Sequence, residues 1–143
     1  MSADDRNAIS LRVPAKPEYL IVCRLALNGL ANVVPVSDEA LSDLKLAVTE
    51  ACANSMSHAY GSDEGFVTMR VAVDAGDVAV DISDEGSGMT ELAPTSFEDS
   101  GPLGEGGMGL ALIRALVDDL EISAGAQGTG TRVTFRKHVT PSA

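Results

Sequence analysis

Three polar side chains suited to a metal or phosphate site stand four residues apart, at Glu50, Asn54 and His58. In an α-helix, residues at this spacing lie on one face, one turn above another. A carboxylate and an amide oxygen placed in this way suit hard cations and water. Mg²⁺ takes few protein oxygens and keeps waters and substrate phosphates as its other ligands. The same spacing also fits an ordinary amphipathic helix whose polar face is solvated.

A second group begins at Asp84, which follows an alternating apolar segment and precedes Gly86 and Gly88. Glycines at this spacing let a flat ligand approach the backbone, and the carboxylate can accept a hydrogen bond from an exocyclic amine. The alternative is a plain Asp-Gly turn. An EF-hand is excluded, because its ligand spacing and closing Glu are missing.

A glycine cluster follows at Gly104, Gly106, Gly107 and Gly109. Glycines that open a helix offer backbone N–H groups and a favourable dipole to phosphates, although a flexible surface loop is the alternative. The cluster matches the dinucleotide-binding spacing GxGxxG. That interpretation needs a hydrophobic strand directly before it, and residues 96–103 do not form one. A P-loop is excluded, because no Gly-Lys-Ser/Thr follows these glycines.

Composition limits the classes of function. The chain has 143 residues, enough for one domain with a real core, and carries 21 acidic against 10 basic residues, a net charge of −11. This balance argues against direct binding of nucleic acid or anionic membranes, which needs Lys/Arg clusters. The sequence contains no apolar run of about 18 residues, so no membrane span is predicted. Cys23 and Cys52 fall in apolar helical patterns, which predicts two buried thiols in a cytoplasmic protein and no zinc site.

The elements that position these residues follow from hydrophobic periodicity. Strands are predicted at residues 9–13, 66–73, 77–83, 121–124 and 131–136, and helices at residues 16–33, 37–61 and 108–120. Ser37 is the predicted N-cap of the second helix, and Gly61 its C-terminal stop. The expected fold class is α/β, a two-layer sandwich of a mixed, mostly antiparallel sheet with about three helices on one face. We expect one domain at residues 9–137, with flexible ends at 1–8 and 138–143.

Three boxes, in this order, carry a resemblance to a known family: Glu50-x-x-x-Asn54, Asp84-x-Gly86-x-Gly88 and Gly106-Gly107-x-Gly109-Leu110. They resemble the ATP-binding GHKL (Bergerat) fold shared by DNA gyrase, a heat-shock chaperone family, histidine kinases and mismatch-repair ATPases. The fuller match, from Glu-Ala-x-x-Asn-x-x-x-His-Ala-Tyr to Gly-Gly-Met-Gly-Leu-x-Leu-Ile, is similar to one branch. That branch is the bacterial anti-sigma-factor serine/threonine kinases of the sporulation and general-stress switches. The resemblance covers about residues 9–137.

The resemblance implies a role for each matching residue. Asn54 would bind Mg²⁺, Glu50 would act as the general base, and Asp84 would accept a hydrogen bond from the adenine amino group. Further nucleotide contacts are implied at Gly86, Gly88, Met89, Gly106, Gly107, Met108, Gly109, Leu110 and Thr131. Residues 91–104 would form a lid over ATP. Residues 91–107 contain no Lys or Arg, so charge on the transferred phosphoryl group would fall to Mg²⁺ and backbone donors.

The implied function is an ATP- and Mg²⁺-dependent serine/threonine-protein kinase that acts as an anti-sigma factor. Its expected partners are an RNA polymerase sigma factor and a STAS-type anti-sigma-factor antagonist that it would phosphorylate, with a homodimer as a further expectation. Two alternatives stay open. One is the same fold holding ATP while it sequesters a partner without phosphoryl transfer. The other is a detached histidine-kinase catalytic domain, which is weakened because only about eight residues, without a phospho-acceptor hairpin, precede the first strand.

Overall fold

The computed structural model describes residues 8–59, 65–84, 105–124 and 131–139, without the side chains of 57–59, 105–109 and 124. In chain order the elements are β1 (Ala8–Pro14), α1 (Leu20–Ala31), α2 (Asp38–Ala59), β2 (Phe66–Asp74), β3 (Asp77–Asp84), α3 (Glu105–Leu116), β4 (Asp119–Ala124) and β5 (Thr131–His138). A 3-10 turn at Pro17–Tyr19 precedes α1. None of the helices in these ranges combines the length and the apolar character that a membrane crossing requires.

The five strands form one sheet in the order β1-β2-β3-β5-β4. Every pairing among them is antiparallel, so the predicted α/β class is confirmed and the expected mixed sheet is antiparallel across the described strands. β2 and β3 form the predicted hairpin, which turns through Ala75 at φ 55° and Gly76 at φ 85°. Two successive positive φ values are typical of the type I′ turn, whose twist matches that of the strands it joins.

One face of the sheet is apolar, because side chains alternate between the two faces along each strand. On β3, the side chains of Val78, Val80 and Ile82 are fully buried, as their alternation predicts. The helices cover this face, and Leu44 and Val48 of α2 belong to the same buried cluster as the strand residues. The predicted site residues on α2 and β3 therefore belong to the two layers that meet at this face of the sheet.

The opposite face is polar and carries ion pairs between neighbouring strands. Arg132 of β5 pairs with Asp81 of β3, and Arg136 Nη2 donates to Asp119 Oδ2 at 2.7 Å. Exposed pairs of this kind contribute little to stability.

The first two helices differ slightly from their predicted bounds. α1 begins at Leu20 instead of residue 16, because the residue before Pro17 is extended, with φ −133° and ψ 139°. At α2 the backbone N–H of Ala40 donates to Ser37 Oγ at 3.1 Å, which confirms the predicted N-cap. The predicted stop at Gly61 lies outside the described residues.

The third helix lies several residues earlier than predicted. α3 begins at Glu105 instead of residue 108, because the low helix propensity of glycine hides the first turn from a periodicity argument. It ends at Leu116 instead of residue 120. β4 accordingly begins at Asp119, two residues before the predicted strand. Gly106 and Gly107 are thus part of the helix, whereas the sequence pattern predicted that they precede it.

Lys137 joins the last strand to two helices. Its Nζ donates to the carbonyl of Leu116, the last residue of α3, at 2.7 Å, and lies 3.4 Å from Asp43 Oδ2 of α2. The strand β5 extends beyond the predicted end at residue 136 to His138, and Val139 is buried. The segment expected to be flexible from residue 138 therefore begins inside the sheet.

Candidate nucleotide-binding site

The helix α2 carries Glu50 and Asn54, the two residues predicted to act on Mg²⁺ and on the transferred group. Both side chains are half-buried, whereas Ala51 and Cys52 between them are fully buried against the core. The two polar groups therefore lie at the margin of the core and not on a fully solvated face. The side chain of His58 is outside the described part, so its place beside them stays a prediction.

Asp84 is the last residue of β3 and is only 4% exposed. It shares the parity of the buried Ile82, so its carboxylate is on the face of the sheet that the helices cover. The backbone N–H of Thr131, at the start of β5, donates to Asp84 Oδ1 at 3.3 Å. This hydrogen bond joins two residues predicted to lie at the adenine edge, although they are far apart in the sequence.

The start of α3 supplies backbone donors. The first N–H groups of a helix have no acceptor within it, and the helix dipole favours an anion there. Gly106 and Gly107 lie in this first turn, and their contact with phosphates stays a prediction. Gly109 lies one turn further in, where N–H groups donate to the preceding turn of the helix. Leu110 is half-buried and packs on the core, so its predicted nucleotide contact stays a prediction.

The packing of α2 brings these parts together. α2 packs on both α1 and α3, and it also contacts β3. The helix with Glu50 and Asn54 therefore packs against the helix that begins at Glu105 and contacts the strand that ends at Asp84. An acceptor carboxylate, an amide oxygen and free N–H groups are the groups that an adenine nucleotide with a cation requires.

A cation at this site would be held by few protein atoms. Among the described residues, no group of three or more His, Cys, Asp and Glu is placed to bind a metal ion. Asn54 offers one amide oxygen, and Mg²⁺ would take its other ligands from waters and phosphate oxygens of a bound nucleotide. The donor set thus fits Mg²⁺ bound together with ATP better than a metal bound by protein alone.

Several predicted contacts lie outside the described part of the chain. These are Gly86, Gly88, Met89 and the lid at 91–104, and for Met108 only the backbone is described. The structure in turn adds Lys137 and Asp43, for which no sequence pattern indicated a role. Both fix the two helices that carry the site, since Lys137 contacts the end of α3 and pairs with α2.

Comparison with known proteins gives a consistent result. Residues 13–137 match the family model of the histidine kinase-like ATPase domain, a range that includes every predicted site residue. A serine-protein kinase RsbW of Listeria monocytogenes serotype 4a is 39% identical over 124 residues, which cover 81% of this chain and 79% of the relative. A serine-protein kinase RsbW of Bacillus licheniformis is 37% identical over 144 residues, which cover 92% of this chain and 88% of the relative.

A solved structure shares the fold. It contains the RsbU and RsbW domains of a Mycobacterium tuberculosis protein and superposes with a TM-score of 0.64 at 22% identity. The match covers 94% of this chain but only 34% of that longer chain. The likeness therefore supports the α/β architecture, and the sequence relatives carry the inference about activity.

Proposed function

The chain belongs to the family of histidine kinase-like ATPase domains, and from that premise we propose that it is an ATP-dependent serine/threonine-protein kinase acting as an anti-sigma factor. The family predicted from the three boxes is thereby confirmed. One observation carries the activity. Relatives that match four fifths or more of this chain at 36–39% identity are named serine-protein kinases. The alternative of a detached histidine-kinase domain is less well supported, since these relatives act on serine by name.

The nucleotide would be oriented by groups on three elements. Asp84 would accept a hydrogen bond from the adenine amino group, and the N–H of Thr131, which donates to Asp84 Oδ1, would help to orient that carboxylate. The first turn of α3, with Gly106 and Gly107, donates N–H groups to the phosphates. Because the protein is acidic, this local set of donors has to hold the phosphates against the overall negative charge.

Glu50 and Asn54 would share the chemistry one helical turn apart. Asn54 provides an oxygen ligand for Mg²⁺, which neutralises charge on the phosphates when it is bound. Glu50 would take the proton from the serine hydroxyl of the protein substrate as that oxygen bonds to the γ-phosphorus, the bond from the γ-phosphorus to the β–γ bridging oxygen breaks, and ADP leaves. The half-buried position of both side chains leaves them open to a substrate on one side and supported by the core on the other.

The partners follow from the same proposal. The protein substrate is an anti-sigma-factor antagonist of the STAS type, and the protein held inactive is an RNA polymerase sigma factor. Because the sigma factor, the antagonist, ATP and Mg²⁺ would all have to be available to it, we propose that this protein acts in the cytoplasm. Direct contact with nucleic acid or membrane is not part of the proposal, because the chain carries 21 acidic against 10 basic residues.

A homodimer is the third element of the proposal, and the outer face of α1 supports it. This face consists of Ile21, Val22, Leu25 and Gly29, with Val33 just beyond the helix. Ile21 is 57% exposed, Leu25 55% and Val33 79%. The inner side of the same helix is apolar as well, with Cys23 and Leu27 buried. A helix that is apolar all round is normally covered on both sides.

Gly29 supports the interpretation that a second copy of the chain covers the outer face of α1. A Cβ at this position would have no heavy atom within 4 Å, so nothing in the described chain requires a glycine inside this helix. Glycine there costs about 1 kcal/mol relative to alanine, and its use is explained if a second backbone approaches closely. The face is nearly uncharged on an acidic protein, so two copies can meet there around a two-fold axis without opposing like charges.

A groove continues this apolar surface towards the edge strand. It has a volume of about 410 Å³ and is lined by Ala8, Ile9, Ala26, Gly29, Leu30, Val33, Val34 and Val73. Edge strands are common sites for pairing with a second chain. The groove would receive apolar side chains from the second copy.

The kinase proposal is tested by incubating the protein with labelled ATP, Mg²⁺ and candidate antagonists. Glu50→Gln keeps the size of the side chain and a hydrogen-bonding oxygen but cannot accept a proton. We expect it to bind Mg·ATP nearly as the wild type does and to transfer phosphate at least about 100-fold more slowly. Glu39→Gln, in the exposed first turn of the same helix, is the matched control and should leave transfer unchanged.

The same experiment tests the remaining alternative, a module that binds ATP and sequesters its partner without transfer. The absence of Lys and Arg from residues 91–107 favours this alternative, since no lid cation would stabilise the transferred phosphoryl group. Wild-type protein that binds Mg·ATP and its sigma factor but labels none of the antagonists would contradict the kinase proposal. Wild-type transfer by Glu50→Gln would contradict the general-base role alone.

A further inference from the structure

The part of α2 that the structure describes exposes one large apolar side chain, that of Leu46, which is 42% exposed. The other exposed side chains described on this helix are polar and lie near its start. The remaining exposed large apolar residues of the described chain all belong to the outer face of α1 or to the groove beside it: Ile9, Ile21, Val22, Leu25 and Val33. Leu46 is therefore separate from the surface assigned to the second copy.

Two neighbouring residues show in which direction Leu46 projects. Lys45 Nζ donates to Asn28 Oδ1 of α1 at 3.1 Å, so Lys45 lies on the side of α2 that adjoins α1. Leu44 is 1% exposed and belongs to the core cluster, so it lies on the side that covers the sheet. Successive residues are about 100° apart around a helix, which places Leu46 about 200° from Leu44. Leu46 therefore projects from the outer side of α2, away from the sheet.

Leu46 lies one helical turn before Glu50. Residues four apart share a helical face, and their Cβ atoms are about 5–6 Å from each other. Side chains on a helix lean towards its N-terminus, so the side chain of Glu50 leans towards Leu46. Asn54 continues the same line one turn further on. The outer face of α2 thus carries an exposed apolar side chain directly beside the predicted general base.

We propose that Leu46 is a specificity-determining residue, which binds an apolar side chain of the antagonist close to the serine that accepts the phosphoryl group. The inference rests on the proposed function, in which Glu50 contacts that serine. A protein whose serine reaches Glu50 also covers the adjoining surface of α2, and for this reason the occupant is the protein substrate. An extended chain advances about 3.3 Å per residue, so the apolar side chain would lie within about three residues of the acceptor serine.

The contact would distinguish between substrates by polarity. Burying the exposed part of Leu46 against an apolar side chain removes apolar area from water, which favours binding. An acidic residue at the same position would lose its hydration beside Leu46 and would approach the carboxylate of Glu50, so such a substrate would be rejected. Because the contact is the same before and during transfer, it should lower KM for the antagonist without changing kcat.

The test replaces Leu46 with two residues of similar shape and different polarity. The substrate is the STAS-type antagonist that the wild-type protein phosphorylates. Leu46→Gln should raise KM for this antagonist at least about 5-fold and change kcat less than about 2-fold. Leu46→Met is the matched control and should keep both values near those of the wild type, because it retains a flexible apolar side chain. Both variants should bind Mg·ATP normally and melt within about 3 °C of the wild type, because the residue is exposed.

Variants of the antagonist identify the other side of the contact. Each apolar residue within about three positions of the acceptor serine is replaced by alanine. One of these replacements should raise KM at least about 3-fold with the wild-type kinase and should have little further effect with Leu46→Gln, because the contact is then already lost. Independent, additive effects of every replacement would show that Leu46 contacts none of these residues and would overturn the inference.

Three further outcomes are decisive. Equal KM values for Leu46→Gln and Leu46→Met would overturn the inference, as would a loss of kcat alone. A loss of sigma-factor binding by Leu46→Gln with an unchanged KM for the antagonist would overturn it as well and would assign this face to the sigma factor. If the wild-type protein phosphorylates no antagonist, the proposed function itself is contradicted, and the inference about Leu46 falls with it.

Discussion

The backbone N–H of Thr131 donates to Oδ1 of the buried Asp84 at 3.3 Å, which joins the start of β5 to the end of β3. The hydrogen bond fixes one carboxylate oxygen and so orients the other. A carboxylate held in this way at the end of a central strand presents a fixed acceptor to a ligand. Its effect on binding can be separated from its effect on folding, because an amide can preserve one of the two contacts.

Asp84→Asn should retain the fold, since the amide oxygen still accepts from Thr131. It should weaken ATP binding about 10- to 100-fold, because a charged acceptor for the adenine amino group becomes a neutral one or a competing donor. Calorimetric titration measures this change. Asp81→Asn, on the same strand but on the open face, is the matched control and should bind ATP normally. Equal affinities for the two variants would remove Asp84 from the adenine site.

Asn54→Ala should weaken Mg·ATP binding by at least about 10-fold through loss of a metal ligand. The effect should be much smaller for ATP titrated with a chelator in place of Mg²⁺, and that difference separates a ligand role from a change in folding. Asn32→Ala, at the exposed end of α1, serves as the control. A loss of affinity that is the same with and without Mg²⁺ would show that Asn54 does not act through the metal.

Lys137→Met should lower the free energy of unfolding by about 1–2 kcal/mol, because it removes a charged donor from the end of α3 and a partner of Asp43. Denaturant unfolding monitors the change. We also expect weaker Mg·ATP binding, since Lys137 holds together the two helices that carry the site. Arg136→Met, the exposed neighbour on the other face, should change neither quantity noticeably. Normal Mg·ATP affinity of Lys137→Met would mean that packing alone positions the helices.

Leu25→Glu should convert a dimer into a monomer, because it puts a charge into the outer face of α1. Sedimentation velocity measures the change in mass. Leu46→Glu, a comparably exposed leucine on α2, is the control and should remain dimeric. A monomeric wild-type protein would contradict the dimer. If the outer face of α1 becomes inaccessible to solvent only when a sigma factor or antagonist is added, as hydrogen exchange would show, the face binds that partner instead. Gly29→Ala should raise the stability of the monomer by up to about 1 kcal/mol.

Local patterns predicted some parts of this molecule well and others poorly. The core of β3 and the N-cap at Ser37 follow from alternation and from side-chain chemistry, both of which act over a few residues. The start of α3 was misplaced because its first turn is formed by Gly106 and Gly107, and glycine is the residue least informative about helix. The glycine spacing and the family resemblance, not the hydrophobic periodicity, indicated this cluster as a phosphate site.

Contacts between distant segments could not be read from the sequence. The apolar helical patterns correctly predicted that Cys23 and Cys52 are buried, but periodicity fixes only the buried side of each helix and not its rotation or register against another helix. The link from Lys137 to Leu116 and Asp43 depends in the same way on how β5 lies beside the helices. Such contacts require the tertiary structure.

The ion pairs on the open face of the sheet also have a consequence for the rate at which ligands arrive. The net charge of −11 already includes Arg132 and Arg136, and because both are paired with Asp81 and Asp119, neither presents an unpaired positive charge that would attract an anion locally. A nucleotide, itself an anion, approaches against the field of this net charge. Added salt screens the repulsion. Stopped-flow measurement should therefore find that the association rate constant for Mg·ATP increases with ionic strength, whereas a basic partner should associate more slowly under the same change.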